Sequence, residues 1–101
     1  MTTDELIEAV MDWGGEHNLN DPKAQLNKVI EEVGEIAHEV SRNRYGEDFM
    51  DAIGDSLVTI IILADIVGKD PRECLFEAYS VIRDRSGHTE GGTFIKDGQD
   101  S

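Results

Sequence analysis

Several features that mark secreted or membrane proteins are scarce in this sequence. It contains one cysteine, Cys74, so no intramolecular disulfide can form and a reducing cytoplasm is the expected compartment. Its longest apolar run, residues 60–64, is far shorter than the roughly 20 residues that span a bilayer. No cleavable signal is expected ahead of the first helix. The sequence therefore predicts a cytoplasmic protein with no membrane partner.

Positive charge is also scarce, with 9 basic residues against 22 acidic ones and a formal net charge of −13. The average field repels nucleic-acid backbones and anionic membranes, so direct nucleic-acid binding is not expected. The same field would repel a triphosphate unless divalent cations held by carboxylates reverse the local charge. No cluster of histidines and cysteines suggests zinc. A nucleotide site in this chain is therefore expected to depend on cations that prefer oxygen ligands.

Aromatic residues make up only 6% of the chain, whereas long stretches are rich in Leu, Ile, Val, Ala and Glu. This composition predicts an all-α, four-helix bundle-like fold, and the length predicts a single domain over residues 1–101. Helical periodicity, prolines and glycine stops predict four helices, at about residues 3–16, 22–41, 47–67 and 71–85.

The third predicted helix is apolar nearly all round, which predicts burial on most of its sides. A thin bundle cannot cover such a helix alone, so a homodimer or homotetramer is expected. After the fourth helix, glycines and polar residues surround the short run Thr93–Lys96. This pattern predicts that about residues 88–101 form an extended, partly flexible tail.

Acidic side chains form a stripe along the second predicted helix. With about 100° of rotation per residue, one face carries Gln25, Lys28, Glu32, Glu35 and Glu39, with Glu31 beside it. An acidic stripe on a single helix is usually a solvated face, and that interpretation remains open for this helix taken alone.

The third predicted helix carries a second acidic stripe, Asp48, Asp51 and Asp55. Asp55 is expected among apolar neighbours, where a carboxylate is costly to desolvate unless a cation or hydrogen bonds compensate it. Two aspartates one turn apart also repel each other without a partner. The two stripes together predict a site for Mg²⁺, with Mn²⁺ as an alternative, because these ions suit carboxylate and phosphate oxygens.

The acidic stripes contain two motifs in a recognisable order. Residues 31–35 read Glu-Glu-Val-Gly-Glu, which fits EExxE, and residues 51–57 on the next helix contain the aspartate of an ExxD motif. Over roughly residues 12–97 the sequence resembles short, phage-type members of the MazG-like superfamily of all-α NTP pyrophosphohydrolases. The resemblance implies a MazG-type fold and an Mg²⁺-dependent enzyme that converts a (d)NTP into a (d)NMP and pyrophosphate. It also implies dimers or tetramers with sites near subunit contacts.

Carried over residue by residue, the resemblance implies that Glu32, Glu35 and Asp55 bind the metal. It further implies that Glu31 binds metal or helps to activate water, which makes Glu31 the predicted catalytic residue. Lys28 is expected to contact phosphate, and the alternative for this lysine is a plain ion pair with Glu31 or Glu32.

The sequence departs from the family motif at Ala52, where ExxD would place a glutamate. Asp51 lies one helical turn before Asp55 on the same stripe, so we expect Asp51 to supply the missing metal contact. Three further basic residues are expected to add positive charge near the triphosphate, with solvated positions as the alternative: Arg83, Arg85 and Lys96. Trp13 and Phe94 are candidates for stacking on a base, but packing roles are favoured for both.

Two other functions remain open at this point. One is a non-enzymatic acidic interaction or inhibitor module, which the net charge permits but which does not explain aspartates within the most apolar helix. The other is a hydrolase of the same superfamily that acts on phosphoribosyl-ATP, because the expected chemistry is the same and the base pocket cannot be derived from the motifs.

Overall fold

The computed structural model describes residues 1–98. The elements follow one another as α1 (Thr3–Glu16), α2 (Pro22–Ser41), α3 (Glu47–Ile66), α4 (Pro71–Ile82), β1 (Gly87–Glu90) and β2 (Thr93–Lys96). The predicted all-α class is confirmed, and the predicted ends of α1, α2 and α3 agree with the structure to within one residue. The last predicted helix is shorter than expected and ends at Ile82.

Local hydrogen bonds set the starts of the first two helices. The Thr2 hydroxyl accepts the Glu5 backbone N–H at 3.1 Å, and the Glu5 carboxylate accepts the Thr2 backbone N–H at 3.0 Å. This capping box makes Thr2 the N-cap of α1. The bond from the Thr2 backbone lowers the pKa of Glu5. At the start of α2 the Asp21 carboxylate accepts the Lys23 backbone N–H at 3.0 Å, and Pro22 occupies the first turn.

Helices α2 and α3 form the core of the first compact unit, Met1–Pro71. The two helices are antiparallel. Their connection is short, and Gln25 Nε2 near the start of α2 donates to the Thr59 carbonyl in the later part of α3 at 3.1 Å. The buried face of α3 is formed largely by small side chains, Ala52, Ser56 and Thr59, which allow the two helices to approach closely. Helix α1 packs against α3, where Gly14 meets Ile62.

The expectation that α3 is buried on most sides is wrong for the single chain. Leu57 is 56% exposed, and other large side chains of α3 and α2 are similarly open to solvent. At 100° of rotation per residue, the exposed apolar residues of α2 and those of α3 lie on the same side of the antiparallel helix pair. We call this surface the apolar face, and it consists of Leu26, Ile30, Val33, Val40, Met50, Leu57, Ile60 and Val67.

The second compact unit begins at Arg72 and contains most of α4 and an antiparallel hairpin. Strand β1 pairs with β2 from Gly87 opposite Lys96 to Glu90 opposite Thr93. Gly91 and Gly92 form the connection with φ angles of 57° and 79°, which a two-residue hairpin turn requires and glycine adopts without strain. The predicted extended tail is therefore a hairpin as far as Lys96, and residues 99–101 of that prediction lie outside the described residues.

The division into two compact units does not test the predicted single domain over residues 1–101, which stays a prediction. Among the described residues, no helix combines the length and apolar character needed to cross a membrane.

Candidate active site

A pocket of about 580 Å³ opens within the first unit. Its walls come from the end of α1, the polar loop at residues 17–21, residues 24–32 of α2 and residues 55–62 of α3. Volumes of about 300 to 1,000 Å³ are usual for small-molecule sites. The pocket is therefore large enough for a nucleotide.

Two of the predicted metal ligands, Glu32 of α2 and Asp55 of α3, line this pocket from different helices. The Glu32 side chain is largely covered, whereas Asp55 is exposed. Asp55 lines the pocket together with the apolar side chains of Val58 and Ile62, but the expectation that its carboxylate is desolvated is wrong, because Asp55 is exposed beside the buried Ser56. Because Asp55 remains hydrated in the free chain, desolvation gives no reason for a bound cation.

The other predicted acidic residues, Glu31, Glu35 and Asp51, are exposed and do not line the pocket. Glu35 lies one turn beyond Glu31, and Asp51 one turn before Asp55, so both stripes continue past the pocket. Within residues 1–98, no three His, Cys, Asp or Glu side chains converge closely enough to form a metal cluster. The metal and catalytic roles of these residues stay predictions.

Lys28 lies between the carboxylates of α2 and also lines the pocket. Its Nζ is 3.4 Å from Glu31 Oε2 and 3.8 Å from Glu32 Oε1, so the alternative ion pair is present in the ligand-free chain. The pair with Glu31 is exposed on both sides, and such pairs contribute only about 0 to 1 kcal/mol. Moving the ammonium to a phosphate oxygen would therefore cost little.

The two ends of the α2 stripe are structural. Gln25 is buried and donates to the Thr59 carbonyl across the helix pair. Glu39 is also buried, and its Oε2 accepts from Arg44 Nη2 at 3.3 Å, in the turn that leads to α3. The stripe thus combines helix packing at both ends with a polar pocket wall between them.

Ala52, the position at which the family motif has glutamate, is 4% exposed and faces α2. It lies two turns before Thr59, and Glu32 lies two turns after Gln25, so the antiparallel pairing brings Ala52 and Glu32 to the same level. Asp51 next to it is exposed. The proposed replacement of the missing glutamate by Asp51 stays a prediction.

The end of α1 and the loop that follows it contribute Trp13, Asn18, Leu19 and Asn20 to the pocket lining. Trp13 is 48% exposed, and its ring centroid lies 4.2 Å from that of His17. Trp13, a candidate for base stacking for which a packing role is favoured from the sequence, thus lines the pocket. The available signal was an aromatic residue at the end of a helix, directly before a polar loop.

The remaining predicted phosphate contacts lie in the second unit. Arg83 and Arg85 follow α4, and Lys96 ends β2. Arg83 Nε is 3.6 Å from Asp84 Oδ2, an exposed pair that leaves the guanidinium accessible. The role of these three residues toward phosphate stays a prediction.

Comparisons with known proteins bear on the fold. No family model matches the chain. Over 63 residues it is 35% identical to an uncharacterised 18.2 kDa protein from the rep-hol intergenic region of Haemophilus phage HP1, strain HP1c1. That match covers 59% of this chain but only 38% of the relative.

A solved structure matches nearly the whole chain. It is the cyanophage S-2L MazG-like pyrophosphohydrolase bound to dGDP and three catalytic Mn²⁺ ions per active site. The TM-score is 0.66, the match covers 95% of this chain and 97% of the other, and the sequences are 23% identical. At that identity the likeness establishes the fold, and the chain has the all-α fold of a MazG-like pyrophosphohydrolase.

Proposed function

We propose that the chain is a divalent metal-dependent nucleotide pyrophosphohydrolase, which converts a (d)NTP and water into a (d)NMP and pyrophosphate. The observation that carries this proposal is the pocket that Glu32, Lys28 and Asp55 line from adjacent helices. The shared fold supports it, because the cyanophage protein of that fold is a pyrophosphohydrolase that binds a guanine nucleotide and catalytic Mn²⁺.

The acidic end of the pocket fits Mg²⁺ or Mn²⁺. Glu32 and Asp55 offer carboxylate oxygens from two walls, and Mg²⁺ commonly uses one or two protein carboxylates while phosphates and water fill the remaining positions. Glu35 and Asp51, one turn further along the two stripes, would add ligands if the helices or side chains adjust. When bound, such ions would neutralise phosphate charge and make a coordinated water more acidic.

Lys28 and Glu31 are proposed to exchange partners when substrate binds. In the free chain Lys28 holds the Glu31 carboxylate at 3.4 Å. A phosphate oxygen would attract the ammonium more strongly than an exposed carboxylate does, because its charge is larger and it can accept several hydrogen bonds. Glu31 would then be free to accept a proton from the attacking water.

The nucleoside is proposed to occupy the other end of the pocket. Gln25 and Glu32 are seven residues apart on α2, which corresponds to about 10 Å along the helix. That length separates a base near Trp13 from phosphates near Glu32. The Trp13 ring offers a stacking surface, and Asn18 and Asn20 offer amide groups for base edges.

The direct test is to incubate the protein with each (d)NTP and with phosphoribosyl-ATP, with Mg²⁺ or Mn²⁺, and to identify the products by chromatography and phosphorus NMR. We expect monophosphate and pyrophosphate, complete loss of turnover in excess chelator, and recovery when the cation is restored. Turnover that continues in chelator would contradict the metal requirement. Absence of turnover on every substrate would favour the acidic interaction module instead.

The chain is further proposed to form a homodimer or homotetramer through the apolar face. Each of the eight large side chains of this face is between 44% and 70% exposed, and a standard interface buries about 800 Å² on each partner. A contiguous apolar surface of so many large side chains is unusual on a monomer. The apolar face lies on the side of the α2–α3 pair opposite the pocket, so association through this face would leave the pocket mouth open.

Placing a charge on the apolar face is expected to weaken self-association. Leu57→Glu should shift the protein toward monomer, because a buried carboxylate without a partner would cost several kcal/mol at the interface. Asn27→Glu adds the same charge at an exposed position outside the face and serves as the control. Analytical ultracentrifugation measures both. Equal association of the two variants would contradict the proposed interface.

A further inference from the structure

Gly14 is a buried glycine in the last turn of α1, where alanine would stabilise an isolated helix by about 0.5 to 1 kcal/mol. An ideal Cβ at this position would lie 3.2 Å from both Ile62 Cγ1 and Ile62 Cγ2. Ile62 is 3% exposed, so it has little freedom to move away. The absence of a side chain at Gly14 therefore sets how closely α1 approaches α3.

Gly14 also begins the turn that ends α1. Its carbonyl accepts the Leu19 N–H at 3.0 Å, while the Gly15 carbonyl accepts the Asn18 N–H at 3.1 Å. Asn18 has a φ of 57°, the left-handed conformation that completes this type of helix end. The loop that forms one pocket wall is thus attached to the residue that fixes the helix spacing.

We infer that Gly14 is a positioning residue for the nucleoside end of the pocket. Its contact with Ile62 places Trp13 and the loop through Asn18 at a fixed distance from α2. This inference rests on the proposed function and deepens it: one contact between α1 and α3 determines the width of the nucleoside end of the pocket.

The acidic end of the pocket does not depend on this contact. Glu32 and Asp55 belong to α2 and α3, which pack through Ala52, Ser56 and the bond from Gln25. A methyl group at position 14 would therefore displace α1 by a few tenths of an ångström and leave the spacing of the two carboxylates unchanged. Nucleoside binding should change, and the chemical step should not.

Gly14→Ala is expected to raise KM for the preferred nucleotide about tenfold and to reduce discrimination between bases, while kcat stays within about threefold of the parent. Gly15→Ala is the matched control, because no described atom lies within 4 Å of an ideal Cβ at that neighbouring glycine. Its KM should equal that of the parent. A merely structural role for Gly14 would lower the melting temperature without separating KM from kcat.

A second variant removes the carbons that a Cβ at position 14 would meet. Gly14→Ala combined with Ile62→Ala should restore KM toward the parental value. Ile62→Ala alone is its control, because Ile62 also lines the pocket, and loss of this buried side chain is expected to lower the melting temperature of both variants. Trp13 is the only tryptophan in the sequence, so its fluorescence reports on this wall without requiring turnover. We expect nucleotide to quench it in the parent, and to quench it at higher concentrations in Gly14→Ala.

The outcomes separate the two proposals. If the parent hydrolyses nucleotides and Gly14→Ala has the parental KM, base preference and fluorescence titration, the role of Gly14 is refuted and the proposed function stands. If the parent neither hydrolyses nor binds any nucleotide, the proposed function is refuted, and the inference with it.

Discussion

Replacing Glu32 with Gln, or Asp55 with Asn, is expected to lower the rate of nucleotide hydrolysis by about 100-fold or more. Loss of residues that merely support metal ligands typically costs 10- to 100-fold, so loss of a ligand itself should cost about 100-fold or more. Each amide preserves the shape of the side chain but removes the charge that would hold the cation. Rates at saturating Mn²⁺ and Mg²⁺, with the cation concentration varied, measure the effect.

The structure provides a control for this experiment. Asp65 is exposed on α3 and lies outside the pocket, so Asp65→Asn should keep the parental rate. Because Asp55 is exposed, the free energy of unfolding of Asp55→Asn in chelator should lie within about 0.5 kcal/mol of the parental value. Glu35→Gln tests whether the stripe beyond the pocket also holds metal. Near-parental rates for both Glu32→Gln and Asp55→Asn would refute the proposed site.

Ala52→Glu is expected to destabilise the metal-free protein by several kcal/mol. Ala52 is buried where α3 faces α2, and an unpaired carboxylate there would lose its hydration. Added Mn²⁺ should recover much of the loss, because the new carboxylate lies at the level of Glu32 and rebuilds the family motif. Thermal unfolding in chelator and in Mn²⁺ measures the difference.

Ala52→Gln separates charge from volume in this test. It adds nearly the same bulk, so it should destabilise the protein in chelator but gain little from Mn²⁺. If Ala52→Glu and Ala52→Gln respond equally to Mn²⁺, position 52 does not face a metal. The role of Asp51 can be tested alongside. Asp51→Asn should lose activity, and adding Ala52→Glu to that variant should restore part of the loss.

The boundaries of α2 could be predicted from the sequence because local chemistry determines them. Pro22 suits the first turn of a helix, and Asp21 before it accepts the free backbone N–H of Lys23. The positions of Glu32 and Lys28 on one face follow from helical rotation alone. These features depend on neighbours within a few residues, so one sequence is sufficient to predict them.

Features that depend on packing between elements could not be predicted in this way. Periodicity shows that Asp55 lies beside apolar residues, but the direction from which α2 covers α3 decides that Asp55 is exposed and Ala52 is buried. Trp13 lines the pocket because of where α1 crosses α3. Strand β1 lacks an apolar pattern and is formed through its pairing with β2.

The apolar face belongs to a chain that carries a formal charge of −13. Two such chains repel each other electrostatically as they approach, while apolar contact draws them together. Added salt screens the repulsion over about 10 Å at 0.1 M ionic strength and leaves apolar contact largely intact. Assembly through this face would therefore strengthen as the ionic strength rises, whereas attraction of cations to the acidic pocket would weaken, so salt would act on the two surfaces in opposite directions.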